Sequence, residues 1–272
     1  VWYNMGMNNA FLTRDDIVAR VPSALASTHD GRRSDLYTFV PTLDIINSME
    51  SNGWGVVAAK VPKARKSASR DFGIHQLEFQ ERGAVALVDP RVPDSKAIFP
   101  RIHILNSHNG TSRFQVLAGL YTLVCSNGLI VSTASVGEFS TRHTGSFNAE
   151  DAFRTVEQFR AAMSGIGDTM QLWSGLQLSP TEADEFALAA ARIRWNDPAD
   201  AIPSPAYILA PHREADVGRD LWRVFNVAQE NLIGGGFKRA TREARKVTNL
   251  RESIRINSEL WNLAETTAMR FG

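Results

Sequence analysis

Apolar positions change their spacing midway along the chain. Up to about residue 131 they come as short runs and two-residue alternations, and from about residue 148 they recur every three or four residues. The first spacing belongs to strands, the second to helices packed by one face. Residues 1–40 read as loop with short extended pieces, punctuated by Pro22, Asp30-Gly31 and Pro41. Thr42 is placed to cap a helix carrying Leu43, Ile46 and Met49 on one face. Asp44 favours its first turn, and Asn52-Gly53 ends it. Trp54 to Lys60 is predicted as the first strand. Phe72 to Gln80 is the second, with Leu77 and Phe79 on one side and Gln76 and Glu78 on the other. Ala84 to Val88 is a short apolar run, and Arg101 to Asn106 sets Ile102 and Ile104 opposite His103 and Leu105. Phe114 to Cys125 is apolar on both faces, as in a central strand. Asn109-Gly110 and Asn127-Gly128 are turn signals, the second returning as a short strand at Leu129-Ile130-Val131. The gaps are too short for helical crossovers, so the strands are expected to be antiparallel.

In the later half, Ala152, Phe153, Val156, Phe159 and Met163 fall at helical spacing. Ser179, Pro180 and Glu182 mark a sharp helix start with a capping box, followed by Phe186, Ala190 and Ile193. Residues 196–206 are a proline-rich connector. One further helix holds Leu221, Val224, Phe225, Ala228 and Leu232 and ends at Gly234; another runs from about Val247 through Leu250, Ile254, Trp261 and Ala264. Strands first and helices later predict an α+β fold, with an antiparallel β-sheet in the N-terminal half packed against helices mainly from the C-terminal half. The expected organisation is an N-terminal extension over 1–30 and a single α+β domain over 31–265, strand-rich at 54–131 and helix-rich at 148–265.

The chain has 272 residues, 43% of them hydrophobic, enough for a substantial core. Its formal net charge of +1 leaves nucleic-acid binding to local patches rather than to bulk charge. A single cysteine, Cys125, excludes an internal disulfide framework and suits a reducing compartment. With Leu123 and Val124 before it, it reads as an inert buried thiol. No apolar run reaches the length of a membrane span, and the first residues lack the basic flank and apolar stretch of a secretion signal, so a cytoplasmic location is expected.

No complete catalytic constellation emerges. The six histidines, His29, His75, His103, His108, His143 and His212, form no metal-binding motif, although His103 and His108 could converge with His75 or His143 in space. Gly234-Gly235-Gly236 lacks the ending of a phosphate-binding loop, no nucleophile elbow occurs, and no pair of carboxylates has diagnostic spacing. No catalytic residue, metal ligand or cofactor is assigned.

Two basic stretches stand out. Lys60, Lys63, Arg65, Lys66 and Arg70 fall in one run without an acid, between two predicted strands, where a mobile hairpin arm could track a phosphate backbone. Lys238, Arg239, Arg242, Arg245 and Lys246 follow the triple glycine; if helical, positions 238, 242, 245 and 246 share roughly one face. Each stretch reads equally as a solvated surface. Trp54, Phe72, Tyr121 and Phe237 adjoin basic or turn segments and could stack on bases; Phe153, Phe159, Phe225 and Trp261 fit a helical core.

Arg33-Ser34-Asp35-Leu36-Tyr37-Thr38-Phe39-Val40-Pro41-Thr42, the Asn106-Ser107-His108-Asn109-Gly110-Thr111-Ser112 run and Leu123-Val124-Cys125-Ser126-Asn127-Gly128-Leu129 together resemble the phage/plasmid-like family of domain of unknown function 932, from about residue 30 to 265. The β-rich core and basic hairpin are also similar, remotely, to Rad-type single-strand annealing proteins. That resemblance implies a homo-oligomeric ring or filament that binds single-stranded DNA in a basic groove and anneals strands in recombination, with no bond broken and no cofactor consumed. Under it, the 60–70 residues clamp phosphates and the 238–246 residues add an electrostatic wall. Asn106, Ser107, His108, Asn109 and Ser112 would form a polar rim, with His108 and Arg113 able to touch DNA. Two other readings stay open: a structural or regulatory oligomer of a mobile element, and a metal-dependent nuclease.

Overall fold

The computed structural model describes residues 11–33, 37–61, 71–84, 87–91, 97–122, 129–130, 139–141, 153–154, 156–158, 160–161, 165–197, 201–239 and 242–271. The protein is α+β, with an antiparallel sheet in the N-terminal half and helices largely in the C-terminal half. The chain divides into two compact units, each assembled from separate segments: residues 1–84, 101–116 and 138–157 form the first, and 85–100, 117–137 and 158–272 the second. Among the described residues no helix is long and apolar enough to cross a membrane.

In the first unit, β1 (Trp54–Lys60), β2 (His75–Glu81), β4 (Ala97–Asn106) and β5 (Phe114–Thr122) lie side by side in that order, β4 contributing its trailing residues and β5 its leading ones. The short β7 (Phe139–Thr141) pairs with the start of β5. Register follows the alternation: Leu77 faces Ile104 and Phe79 faces Ile102 across the β2–β4 ladder, all four buried. β1 contacts α1 (Arg14–Arg20) and α2 (Thr42–Ser51), both from the N-terminal side of the sheet. The buried stripe of α2 is Thr42, Ile45, Ile46 and Met49, one residue round from the expected Leu43 face.

Residues 12–30, expected to be loop and extension, are packed structure. Thr13 and Asp16 form a reciprocal capping box at the start of α1, Ile17, Val21 and Ala24 are buried, and the Leu12 amide donates to the Val56 carbonyl at 2.7 Å, where β1 bulges between Val56 and Ala58. Thr42 does not cap α2. Pro41 occupies the cap position, and the Thr42 hydroxyl turns inward.

In the second unit, β3 (Leu87–Val88) pairs with the leading end of β4, and β6 (Leu129–Ile130) with the trailing half of β5. The helices are α3 (Ile166–Gly175), α4 (Pro180–Arg194), the single turn α5 (Pro205–Ile208), α6 (Leu221–Gly234) and α7 (Leu250–Phe271). α4 begins as the sequence predicts, with Ser179 and Glu182 bonding reciprocally; α6 is capped by Asp220, which accepts from the Arg223 amide at 3.0 Å. Their core is aromatic: Trp173 lies 4.5 Å from Trp261, 5.4 Å from Phe225 and 6.3 Å from Trp222, centroid to centroid. Such pairs add directional contact to the burial of large apolar area. Beside them an ionic chain, buried at Asp89 and Asp216, links Trp222 Nε1 to Asp89, Asp89 to Arg91, Arg91 to Asp216, Asp216 to Arg213 and Arg213 to Glu230. The last helix starts at Leu250 with Asn249 accepting from the Glu252 amide, later than the expected Val247.

Candidate functional site

The polar residues of the first unit that sequence placed on a surface rim are inside. Asn106, Ser107, His108, Asn109 and Ser112, between β4 and β5, are all buried. The loop stays buried because its polar groups are bonded. The Ser107 hydroxyl donates to the Ser112 carbonyl at 3.0 Å and accepts from its amide at 2.9 Å. The His108 amide donates to Phe72, and its carbonyl accepts from Asp30, each at 2.9 Å. Tyr37 donates its phenol to the Ser107 carbonyl at 2.9 Å, and burial pushes that phenol up to about 12. Asn109-Gly110 turns the chain as predicted, with Gly110 at φ +66°.

Beneath the loop lies a centre built from distant segments. Thr42 Oγ1 sits 2.8 Å from His75 Nε2, 2.9 Å from Asn106 Nδ2 and 3.1 Å from His108 Nε2. A hydroxyl has one proton and two lone pairs, so these three contacts fill it. The direction of each follows from the far side of His75. Its Nδ1 lies 3.1 Å from the Gly73 carbonyl, which can only accept, so Nδ1 carries the proton of the neutral ring. His75 Nε2 then accepts from Thr42, and Thr42 accepts from Asn106 and from His108 Nε2–H. Ser23 Oγ, 3.1 Å from His75 Nδ1, extends the network to the turn after α1. His75 and His108 do converge, their rings edge-on at 5.0 Å. This arrangement fixes tautomers and joins four segments; the buried Thr42 hydroxyl is fully committed and has no capacity left for a reacting group.

The opposite side of the same strands carries charge. Glu78, buried, accepts from Lys60 Nζ at 2.6 Å and from Arg101 at 3.4 Å, and stands across the ladder from His103. Burial alone would raise the Glu78 carboxyl; His103, Lys60 and Arg101 outweigh it and hold the carboxyl below its usual range. Burial lowers His103 to about 4, so its charge acts on Glu78 only in acid, and at neutral pH Lys60 and Arg101 are what balance the carboxylate.

Lys60 is therefore anchored at its head group and still about half exposed, at 56%. It ends β1 opposite Gln76 of β2, which makes 61–74 the connection of an antiparallel hairpin, as predicted. Lys63, Arg65, Lys66 and Arg70 lie outside the described residues. Arg113 is exposed, whereas the His108 ring is enclosed by Phe39, His75 and Thr42 and does not face solvent.

The second basic stretch is not a helix. Lys238–Arg239 and Arg242–Glu243 are β8 and β9 of a small antiparallel hairpin. Gly235 and Gly236, at φ +65° and +86°, turn the chain into it, and a Cβ on Gly235 would collide with the Ala244 carbonyl. The supposed helical face therefore does not exist. Lys238, Arg245 and Lys246 are exposed, and Arg239 stands opposite Arg242. Lys60 and this hairpin belong to different units.

Among the described residues no group of three or more His, Cys, Asp or Glu is gathered closely enough to hold a metal ion. A small pocket between α2 and the sheet, with room for little more than a water molecule, is lined by Ile45, Ser48, Met49, Ile104, Val116, Phe153 and Val156 and offers little polar chemistry. The missed residues, Ser23 and Thr42, carry no local signal for this role: each is an ordinary polar residue until folding brings it to His75.

No solved structure matches this chain. It is similar to two proteins of Escherichia coli (strain K12), UPF0380 protein YfjQ and UPF0380 protein YafZ. Each is 30% identical, the first over 94% of this chain and 91% of its own length, the second over 93% and 90%. The family model described as Domain of unknown function (DUF932) matches residues 30–261, which include Thr42, His75, Asn106, His108 and both basic stretches, and the chain belongs to that family.

Proposed function

We propose that this protein binds single-stranded DNA and anneals complementary strands during phage or plasmid recombination, as a cytoplasmic homo-oligomer, without covalent chemistry. The observation that carries the reading is the β1–β2 hairpin. Its connection holds four cations and Lys60 stands at its base; the only acid within 60–74 is Asp71, and Glu78 fixes the base in place. A cationic arm on a rigid strand pair suits a sugar–phosphate chain, which is read through its charge rather than its sequence. The polar centre under the 106–113 loop supports the reading indirectly. It stiffens the far end of β4 and ties β2 to α2, so the described base of the hairpin belongs to an ordered scaffold.

A salt titration of oligonucleotide binding tests this. Each phosphate contact on a single strand contributes roughly −0.7 to the slope of log K against log salt, so five contacts give about −3.5. Neutralising Lys63, Arg65, Lys66 and Arg70 together should flatten the slope by about 2.8 and abolish annealing of complementary oligonucleotides. Absence of single-strand binding by the wild-type protein at low ionic strength would overturn the proposal.

A further inference from the structure

Phe237 is fixed at the base of the β8–β9 hairpin. The Ala244 amide donates to its carbonyl at 2.8 Å, and the Gly236 amide donates to the Ala244 carbonyl at 2.7 Å. Its ring stacks on Tyr207 of α5, with centroids 5.7 Å apart and planes 11° from parallel, and meets Trp195 edge-on at 6.0 Å. Trp195 is buried, whereas Tyr207 is 46% exposed, so the stack runs from the interior to solvent. Arg194, whose guanidinium lies over the Trp195 ring, bonds to the carbonyls of Leu232 and Arg245 and pins both ends of the hairpin segment to α4.

Core packing accounts for Trp195. It does not account for a tyrosine kept half in water and nearly parallel to a neighbouring ring, beside a concentration of positive charge. Lys238, Arg245 and Lys246 are exposed and enter no ion pair among the described residues. Arg239 and Arg242 occupy directly opposing positions of the ladder. One acid, Glu243, stands across from Lys238. A partner that satisfies both features must carry regular negative charge and flat apolar faces. Single-stranded nucleic acid has both, whereas a duplex hides its base faces.

We infer that Tyr207 and Phe237 form a stacking platform for bases of single-stranded nucleic acid, with Lys238, Arg245 and Lys246 meeting the adjoining phosphates. This rests on the DNA-binding reading and gives it a second contact surface, on the other unit, that grips bases rather than backbone alone.

The test is fluorescence anisotropy with labelled oligo(dT) and with an abasic strand of equal length, on the full chain. Tyr207→Leu should weaken oligo(dT) binding at least about fivefold and leave abasic-strand binding unmoved, because only bases stack. Tyr207→Phe should match wild type. Unchanged oligo(dT) binding by a folded Tyr207→Leu, or an equal loss on both strands, overturns the platform while leaving the DNA-binding reading intact. Wild-type protein that binds neither strand at low salt overturns that reading, and the platform with it.

Discussion

Replacing Thr42 by valine keeps the shape of a buried side chain and removes one hydroxyl. That hydroxyl donates to His75 at 2.8 Å and accepts from Asn106 at 2.9 Å and His108 at 3.1 Å. Asn106 Nδ2 keeps a bond to the Val40 carbonyl at 3.0 Å, so its loss is small. His75 Nε2 and His108 Nε2 each lose Thr42 in a region without solvent, at about 1–3 kcal/mol apiece. The expected destabilisation is therefore about 2–6 kcal/mol. Thr42→Ser keeps the hydroxyl and loses only a methyl group, for about 1 kcal/mol. With a urea dependence of about 3 kcal/mol per molar, the valine variant should lower the unfolding midpoint by about 1 M and the serine variant by about a third of that. Urea unfolding followed by far-UV circular dichroism measures both. The ordering is the decisive result. If Thr42→Val proves as stable as Thr42→Ser, or more so, the site is a packing position and the proton order assigned to His75, Thr42 and His108 is wrong.

Acid should destabilise the first unit in two stages. The folded state holds His103 at about 4 against an ordinary 6.5, so between those values the unfolded chain binds the extra proton and stability falls as pH falls; His103→Gln should remove that stage from urea midpoints measured across the range. Glu78, also depressed on folding, stabilises above its ordinary 4.5 and loses that contribution as pH drops through its lower folded value, so Glu78→Gln should flatten the second stage while lowering stability at neutral pH. Gly235→Ala places a Cβ against the Ala244 carbonyl at a positive φ, and should cost about 1–3 kcal/mol locally; faster amide exchange at Ala244 and Gly236 than in wild type is the readout, and unchanged protection there would show that the turn relaxes freely.

Much of the fold was legible where the signal is local. The capping box at Ser179, the closing glycine at 234, the Trp54–Lys60 strand and the turn at Gly110 are each set by a few adjacent residues, and each stands where the sequence puts it. α1 was missed because it is only seven residues long and carries aspartate, not glutamate, in the capping box. α3 was missed because Gly165 gives it no side-chain cap and Gly167 lies within its first turn. The 238–246 stretch misled for the opposite reason. Its lysines, arginines and alanines favour a helix, and the override comes from the tight backbone approach of Gly235 to Ala244 and the docking of Phe237 on Tyr207 and Trp195. At the candidate site, polarity was taken as exposure. Asn106 to Asn109 and Ser112 are buried because their partners at positions 30, 37, 40, 42 and 72–75 arrive from elsewhere in the chain, which no periodicity reports.

The interleaving of the two units along the chain governs how the polypeptide can be made. A ribosome that has released the first 84 residues has supplied two strands and two helices but not the third strand, which begins its share at residue 101; the segment that completes the same unit ends only at 157. Early chains must wait with one edge of β2 bare, a template for pairing between nascent molecules. A cut at any single point before residue 157 leaves the first unit short of at least one segment, and so no clean fragment carrying the hairpin arm alone is to be had by trimming the gene from its far end.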